Sequence, residues 1–414
     1  MKAGIVGLGK MGMSIFKLLA DKGLEVTAVE QNSELLQGVS DKFFQKLERS
    51  LGRQGVSADG ISRRKAMYHF SQDLSALKET DIVIEAVSEN YDLKVSVFKQ
   101  METVVRTDTL LLTNSSSISI RNIEKELHHP ERFCGYHFFH PVILIDLVEI
   151  IVTAETSEQV ITRLKEFSRT IGKNPAVVED GPGSVINSIL LYYYVEAVYL
   201  LEEGIAPPSR IDKCALSTFY IGPFESIDVV GVDLFLDALD YASAPLVPLR
   251  CPGPGQEDLP QEAIGGRKGF YFPPVFTRLI NDGRFGKKVS MGIYRYEKGK
   301  PVDDDRSYYV NAERVIPHVS VEKAEDIIRE RLLFSLFNGV IYALKYAKGS
   351  EHDIDYGIRA ILHMKEGPIA MMKHMGLQQV SEKFGQLSKC WGPRFQIDDM
   401  DRILMKLNKD PLCR

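Results

Sequence analysis

Six residues near the head of the chain restrict its fold more than any other feature. Gly7-Leu8-Gly9-Lys10-Met11-Gly12 follows an apolar run at 3–6 and opens a helical pattern over 11–22. A G-x-G-x-x-G turn between a strand and a helix uses its first glycine for the tight turn, its second for close approach to a pyrophosphate, and its third for helix packing. The helix N-terminus then offers unpaired N–H groups and positive potential to the phosphates. A second strand, 25–30, ends on Glu30, near the roughly 20-residue spacing at which an acid holds the adenosine ribose hydroxyls. Glu30-Gln31-Asn32 has no Arg or Lys to receive a 2′-phosphate, which favours NAD over NADP; FAD shares the fingerprint. Gly7, Gly9, Gly12 and Glu30 are the expected cofactor contacts in this segment.

Beyond the glycine turn, short β-branched runs alternate with helical stretches to about residue 180, the pattern of an α/β domain with a mostly parallel sheet. Segments 81–87, 110–113, 132–138 and 147–153 are strand candidates. The first, DIVIEAV, is almost uniformly apolar, as a strand buried on both faces should be. After Asp180-Gly181-Pro182-Gly183 the pattern changes. Residues 185–203 read as a long buried helix stopped by Gly204, and 209–240 as helical with a break at Gly222-Pro223. The Pro/Gly-rich run 245–266 reads as a loop, and 298–317 as a polar linker. A second long apolar helix, 327–347, ends near Gly349; 354–364 follows, then Gly367-Pro368. The two Gly-Pro pairs and the two glycine stops recur at one shared offset, which points to an internal duplication. The predicted architecture is an α/β Rossmann-type dinucleotide-binding domain (1–182) followed by two related all-α domains (183–298 and 318–414) joined by a linker (299–317).

Composition narrows the function class. A chain of 414 residues with net charge -5 and a pI near 6.1 lacks the basic footprint of a nucleic-acid binder. No stretch approaches about 18 consecutive apolar residues, so no membrane span is expected, and the first residues lack a signal-peptide pattern. The five cysteines (Cys134, Cys214, Cys251, Cys390, Cys413) are scattered and never form a CxxC pair. That suits a reducing cytoplasm and offers no metal framework, so a cytoplasmic protein without a metal site is expected.

An ordered series of segments resembles the L-3-hydroxyacyl-CoA dehydrogenases of fatty-acid β-oxidation. The segments are GLGKMG, DIVIEAVSENYDLK, TNSSSISI, ERFCGYHFFHPV with LVEI, DGPGSVIN, IGPFESIDVVG and GRFGKKVSMGIYRYEKG. The repeated helical region is similar to the dehydrogenase part of the multifunctional β-oxidation enzymes, here without a preceding hydratase region. The resemblance implies NAD-dependent interconversion of (3S)-3-hydroxyacyl-CoA and 3-oxoacyl-CoA. Oxidising a secondary alcohol needs a base for its hydroxyl proton while hydride leaves carbon, and histidine titrates near working pH. Read without the family, His137 is better explained as a structural histidine. The resemblance makes it the catalytic base, with Glu149 as its partner acid.

The resemblance also assigns Ser116 and Asn187 to the substrate's reacting oxygen, and places Glu89, Lys94 and Ser116 beside the nicotinamide and ribose. Taken alone, Ser116 also fits a helix cap, and Glu89 and Lys94 fit ordinary charges at a helix start. Tyr192, Tyr193 and Tyr194 face different directions and read as mixed packing. Lys287 and Lys288 with Arg284 fit either CoA phosphates or a solvated loop.

The sequence departs from the family pattern at three places. His140 stands where HFFNP has asparagine, Ser184 and Ser188 replace the aromatic and arginine of PGF-x-x-N-R, and Glu30 replaces an aspartate. The first two put chain-length preference in question. An acyl-CoA substrate, a hydratase or thiolase partner, and either a homodimer or a monomer with an internal pseudo-dimer follow from the resemblance. Two rivals are a dehydrogenase of a hydroxy acid without CoA and a non-catalytic NAD-binding scaffold.

Overall fold

The computed structural model describes residues 1–181, 184–236, 273–311, 320–346, 348–397 and 400–407. It forms two compact units, Met1–Ser184 and Val185–Arg414. Pro182-Gly183, the 245–266 run, the 312–317 part of the expected linker, Cys251, Cys413 and His318 lie outside the described residues.

The first unit is built on an eight-stranded sheet. Its strands are β1 (Lys2–Val6), β2 (Glu25–Val29), β3 (Tyr68–Ser71), β4 (Ile82–Glu85), β5 (Leu110–Thr113), β6 (Phe133–Phe138), β7 (Leu147–Val152) and β8 (Asn174–Glu179). Their order across the sheet is β3-β2-β1-β4-β5-β6-β7-β8. The first six strands are parallel, β7 runs antiparallel to β6, and β8 is parallel to β7. The chain order reverses between β1 and β4, the switch point at whose carboxyl end open α/β sheets bind ligands. Strands β4 to β7 are buried along their whole length, which is why they read as mostly apolar runs.

The helix Lys10–Asp21 lays Ile15, Phe16 and Leu19 into the core beside Ile5, Val26 and Tyr136. Phe16 meets Phe43 edge-on, with ring centroids 4.9 Å apart. Phe43 comes from the helix Ser33–Arg53, capped by the Asn32 side chain on Leu35 N–H at 3.0 Å. That helix has no fully buried residue and a polar face, so its periodicity is faint in the sequence. The strands the sequence did not reveal, β3 and β8, form the two edges of the sheet, where alternation is short and mixed.

The second unit centres on two long helices, Val185–Glu202 and Val321–Lys345. Val185–Glu202 is, among the described residues, the helix long and apolar enough to cross a membrane by length and composition. Its apolar side chains are buried inside the unit. The two helices approach closely at Gly339, where a Cβ would lie 2.9 Å from the Ile189 carbonyl oxygen, and Ser335 Oγ donates to the Tyr192 carbonyl at 2.7 Å. Tyr192 packs on Tyr342, while Tyr193 donates its hydroxyl to the Ile221 carbonyl. A buried charge cluster ties the same elements. Arg331 pairs with Glu196 at 2.5 Å and with Glu203, Arg394 pairs with both acids at 3.0 Å, and the Arg331 guanidinium lies over Trp391.

The two Gly-Pro turns are built alike. Gly222 precedes the helix Pro223–Val230, whose Phe224 and Glu225 N–H groups donate to Asp212 at 2.9 and 3.0 Å. Gly367 precedes Pro368–Met375, whose Ile369 and Ala370 N–H groups donate to Asp355 at 2.5 and 3.4 Å. In each turn a glycine Cβ would collide with the capping aspartate. The boundary expected at 298–299 falls inside a hairpin, β9 (Arg295–Glu297) paired antiparallel with β10 (Lys300–Val302), and the second unit continues through it.

Candidate active site

Four groups collect at the carboxyl ends of β1, β4, β5 and β6. The first is the glycine turn. Gly7 adopts φ +90, and a Cβ there would sit 2.8 Å from the Ala86 carbonyl oxygen. A Cβ on Gly12 would lie 1.9 Å from Gly7 O, so only glycine lets the helix start so close to the turn. Gly9 faces open space and opens the helix without a side-chain cap, leaving room and donors for a pyrophosphate. Glu30, just past β2, accepts from Leu8 N–H at 2.8 Å and Asn32 N–H at 3.0 Å. It braces the glycine turn from the side on which a ribose would lie. These residues fit a dinucleotide.

The second group is the His–Glu pair. The antiparallel register sets His137 directly opposite Glu149, so both side chains leave the same face of the sheet. His137 Nδ1 lies 2.8 Å from Glu149 Oε2, with the carboxylate fully buried and the ring 5% exposed. A carboxylate accepts only, so it holds the proton on Nδ1 and leaves the Nε2 lone pair for a substrate proton. Phe139 abuts the imidazole edge-on at 4.6 Å between centroids.

The third group is the serine turn after β5. Glu89 Oε1 gathers the Ser115 hydroxyl (2.6 Å), Ser116 N–H (3.1 Å), and Ser117 N–H and hydroxyl (3.0 and 2.7 Å). Ser115 is buried and Ser116 is exposed. Asn114 Oδ1 accepts Phe138 N–H at 2.9 Å, which fixes the serine turn against the strand carrying His137.

The fourth group is an ion triad. Lys94, placed by the resemblance beside the cofactor and taken alone fitting an ordinary charge at a helix start, is 1% exposed. Its ammonium lies 2.7 Å from Glu85 Oε1 and 3.2 Å from Glu89 Oε2. Burial pushes both carboxyls up. For Glu89 the Lys94 charge and the serine hydrogen bonds outweigh burial and hold the carboxyl down to about 2. For the deeper Glu85 burial prevails, and its carboxyl is raised.

The structure therefore brings together Gly7, Gly9, Gly12 and Glu30, pairs His137 with Glu149, and joins Ser116, Glu89 and Lys94. Asn187 belongs to the second unit, half-buried in the first turn of Val185–Glu202. Glu85, Asn114, Ser115, Ser117 and Lys173 were missed. The acid inside DIVIEAV was the available signal, because a charge in a strand buried on both faces requires a partner. Lys173, 3% exposed, donates to the Val142 and Ile145 carbonyls and anchors the loop that follows His137. Within that loop, burial and the nearby Lys10 charge push the His140 imidazole below its usual range.

The CoA-phosphate reading of Arg284 is corrected. The guanidinium is 4% exposed and engaged by the Gly292 carbonyl, Asp304 and Tyr309. Lys288 pairs with Asp233.

Comparison with known proteins places the chain among 3-hydroxyacyl-CoA dehydrogenases. The NAD binding domain of 3-hydroxyacyl-CoA dehydrogenase matches residues 2–181, and the C-terminal domain of the same enzymes matches 183–296. A 3-hydroxybutyryl-CoA dehydrogenase of Mycobacterium tuberculosis is 31% identical over 299 residues, 71% of this chain and 98% of that protein. The peroxisomal bifunctional enzyme of Danio rerio is 32% identical over 400 residues, covering 92% of this chain; the chain spans about half, 52%, of that protein's length. The crystal structure of 3-hydroxybutyryl-CoA dehydrogenase from Escherichia coli K12 shares the fold across 99% of both chains, with a TM-score of 0.79 at 24% identity.

Proposed function

The chain belongs to the 3-hydroxyacyl-CoA dehydrogenase family, and from that premise we propose that it interconverts (3S)-3-hydroxyacyl-CoA and 3-oxoacyl-CoA with NAD. The observation that carries the reading is the register-paired, buried His137–Glu149 couple at the switch-point end of the sheet. The glycine turn and Glu30 would hold NAD, which would supply the hydride acceptor for oxidation and the hydride donor for reduction.

The chain's own residues handle the proton. His137 Nε2 takes the 3-hydroxyl proton in oxidation and gives it back in reduction, while Glu149 fixes the tautomer and stabilises the imidazolium. Exposed Ser116, on its braced turn, donates to the 3-oxygen as charge develops there. Asn187 is the proposed substrate donor from the helical unit. Glu89 faces the nicotinamide side with a carboxylate that stays ionised throughout the neutral range.

We further propose that residues 185–414 hold two related helical halves. The matching aspartate-capped Gly-Pro turns support this, as do the paired long helices. If the second half covers the surface of the first, as the buried Arg331 and Arg394 cluster suggests, the protein needs no second copy and works as a monomer, in fatty-acid β-oxidation beside a hydratase or thiolase.

The deciding assay follows NADH oxidation with acetoacetyl-CoA for wild type, His137→Ala and Glu149→Gln. Collapse of kcat in both folded variants is expected, roughly 10²–10⁴-fold for the loss of general acid–base catalysis. NADH binding without turnover of any 3-oxoacyl-CoA ester would overturn the reading in favour of a free hydroxy acid or a scaffold.

A further inference from the structure

We infer that Glu85 is a positioning residue for this reaction: through Lys94 and Glu89 it fixes the turn that presents Ser116, an assignment that rests on the dehydrogenase reading above. Glu85 ends β4 at the switch point and is fully buried. Its Oε1 accepts Lys94 Nζ and Val87 N–H, both at 2.7 Å, and its Oε2 accepts Thr113 Oγ1 at 2.6 Å. The Lys94 ammonium donates to Glu85 and to the Val87 carbonyl at 3.5 Å, and forms an ion pair with Glu89 Oε2 at 3.2 Å. Glu89 in turn holds all three serines of the turn. A line of alternating charge thus runs from the core to the turn that carries Ser116.

A buried ion pair is a poor source of stability, since apolar residues of the same shape serve as well or better. What this one supplies is fixed geometry on two sides. Besides the serine turn, Glu85 pins Val87 N–H, which lies 2.9 Å from where a Gly7 Cβ would stand and so walls the glycine turn. Thr113 Oγ1 also accepts Ser115 N–H at 3.2 Å, so the brace reaches the turn by a second route.

Glu85→Gln keeps the size of the side chain and removes its charge. The expected result is a kcat lower by roughly 10²-fold, as for a small misplacement of a reacting group, with the KM for acetoacetyl-CoA nearly unchanged. NADH affinity, read by nicotinamide fluorescence without acyl-CoA, falls in the same variant. The discriminating measurement is the cycle with Ser116→Ala. If Glu85 acts through the turn, Glu85→Gln adds little to the loss already caused by Ser116→Ala, whereas independent sites add. Thr113→Val loosens the same carboxylate with less risk to folding and should move kcat and NADH affinity in the same direction by a smaller factor. Additive losses, or a kcat that drops only as far as the folded fraction does, would overturn the assignment. A wild type that binds NADH and reduces no 3-oxoacyl-CoA ester sinks the dehydrogenase reading instead; NADH affinity in Glu85→Gln then still reports whether the brace shapes the cofactor site.

Discussion

His137 and Glu149 show how far single residues can be read. Their chemistry was legible because two apolar strands carried one histidine and one acid, and because the surrounding segments resemble a family that uses such a pair. Their pairing was expected from the resemblance, but its geometry depends on the antiparallel register that places them opposite one another. Lys94 is the reverse case. Its position in SENYDLK was plain, but burial depends on a partner, Glu85, that hides in an apolar strand. Gly12 gives a prediction at this scale. A Cβ 1.9 Å from Gly7 O forces the helix away from the turn. With overpacking at about 1–3 kcal/mol, Gly12→Ala should weaken NADH binding about 10- to 100-fold, checked by fluorescence titration; unchanged affinity would mean the turn relaxes freely.

Most of the core elements were readable, because β4 to β7 and the buried parts of the two long helices are mostly apolar. The failures share a cause, partial burial. Ser33–Arg53 covers the sheet with only half-buried residues, β3 and β8 are edges, and β9 and β10 are short and polar enough to pass for linker.

The helical caps carry a pH prediction. Burial pushes Asp212 up to about 7 against its two helix N–H donors and Tyr294, and Asp228 up to about 6 against the Tyr294 and Ile293 N–H groups. Both folded values lie above the unfolded value of about 3.9, so the folded state holds protons that the unfolded state has lost. The stability from these two groups is therefore complete below about pH 4 and is lost as pH rises through 6 and 7. Glu89 acts oppositely: its contribution is present above its ordinary value and disappears as pH falls toward about 2. Thermal melts across pH 4–8 should show the midpoint falling toward the alkaline side, and Asp228→Asn should flatten that slope. A rising midpoint in wild type would contradict the burial argument.

At the scale of the whole chain, the Arg331 cluster joins residues more than a hundred positions apart. Arg331 is fully buried, and removing it leaves Glu196 and Glu203 as buried acids facing Arg394 alone. Breaking a buried pair by deleting one partner costs about 3–5 kcal/mol. Arg331→Met should therefore lower stability by about that much in urea unfolding, while Glu196→Gln with Arg331→Met recovers part of it. Sedimentation equilibrium tests the larger claim, with a single 46.6 kDa species expected; a dimer at micromolar concentration would mean the internal duplication leaves its association surface open.

The single reversal of strand direction at β7 has one more consequence. His137 and Glu149 come from one hairpin, and their separation is set by ladder hydrogen bonds rather than by the connection between the strands. That connection carries His140 and the outward Ile143 and Leu144, 59% and 73% exposed, while Lys173 grips its backbone and not its side chains. The outward side chains at 140, 143 and 144 can therefore be exchanged without disturbing the His137–Glu149 pair. In a lineage of enzymes, this insulates the invention of new preferences from the machinery that makes any preference useful.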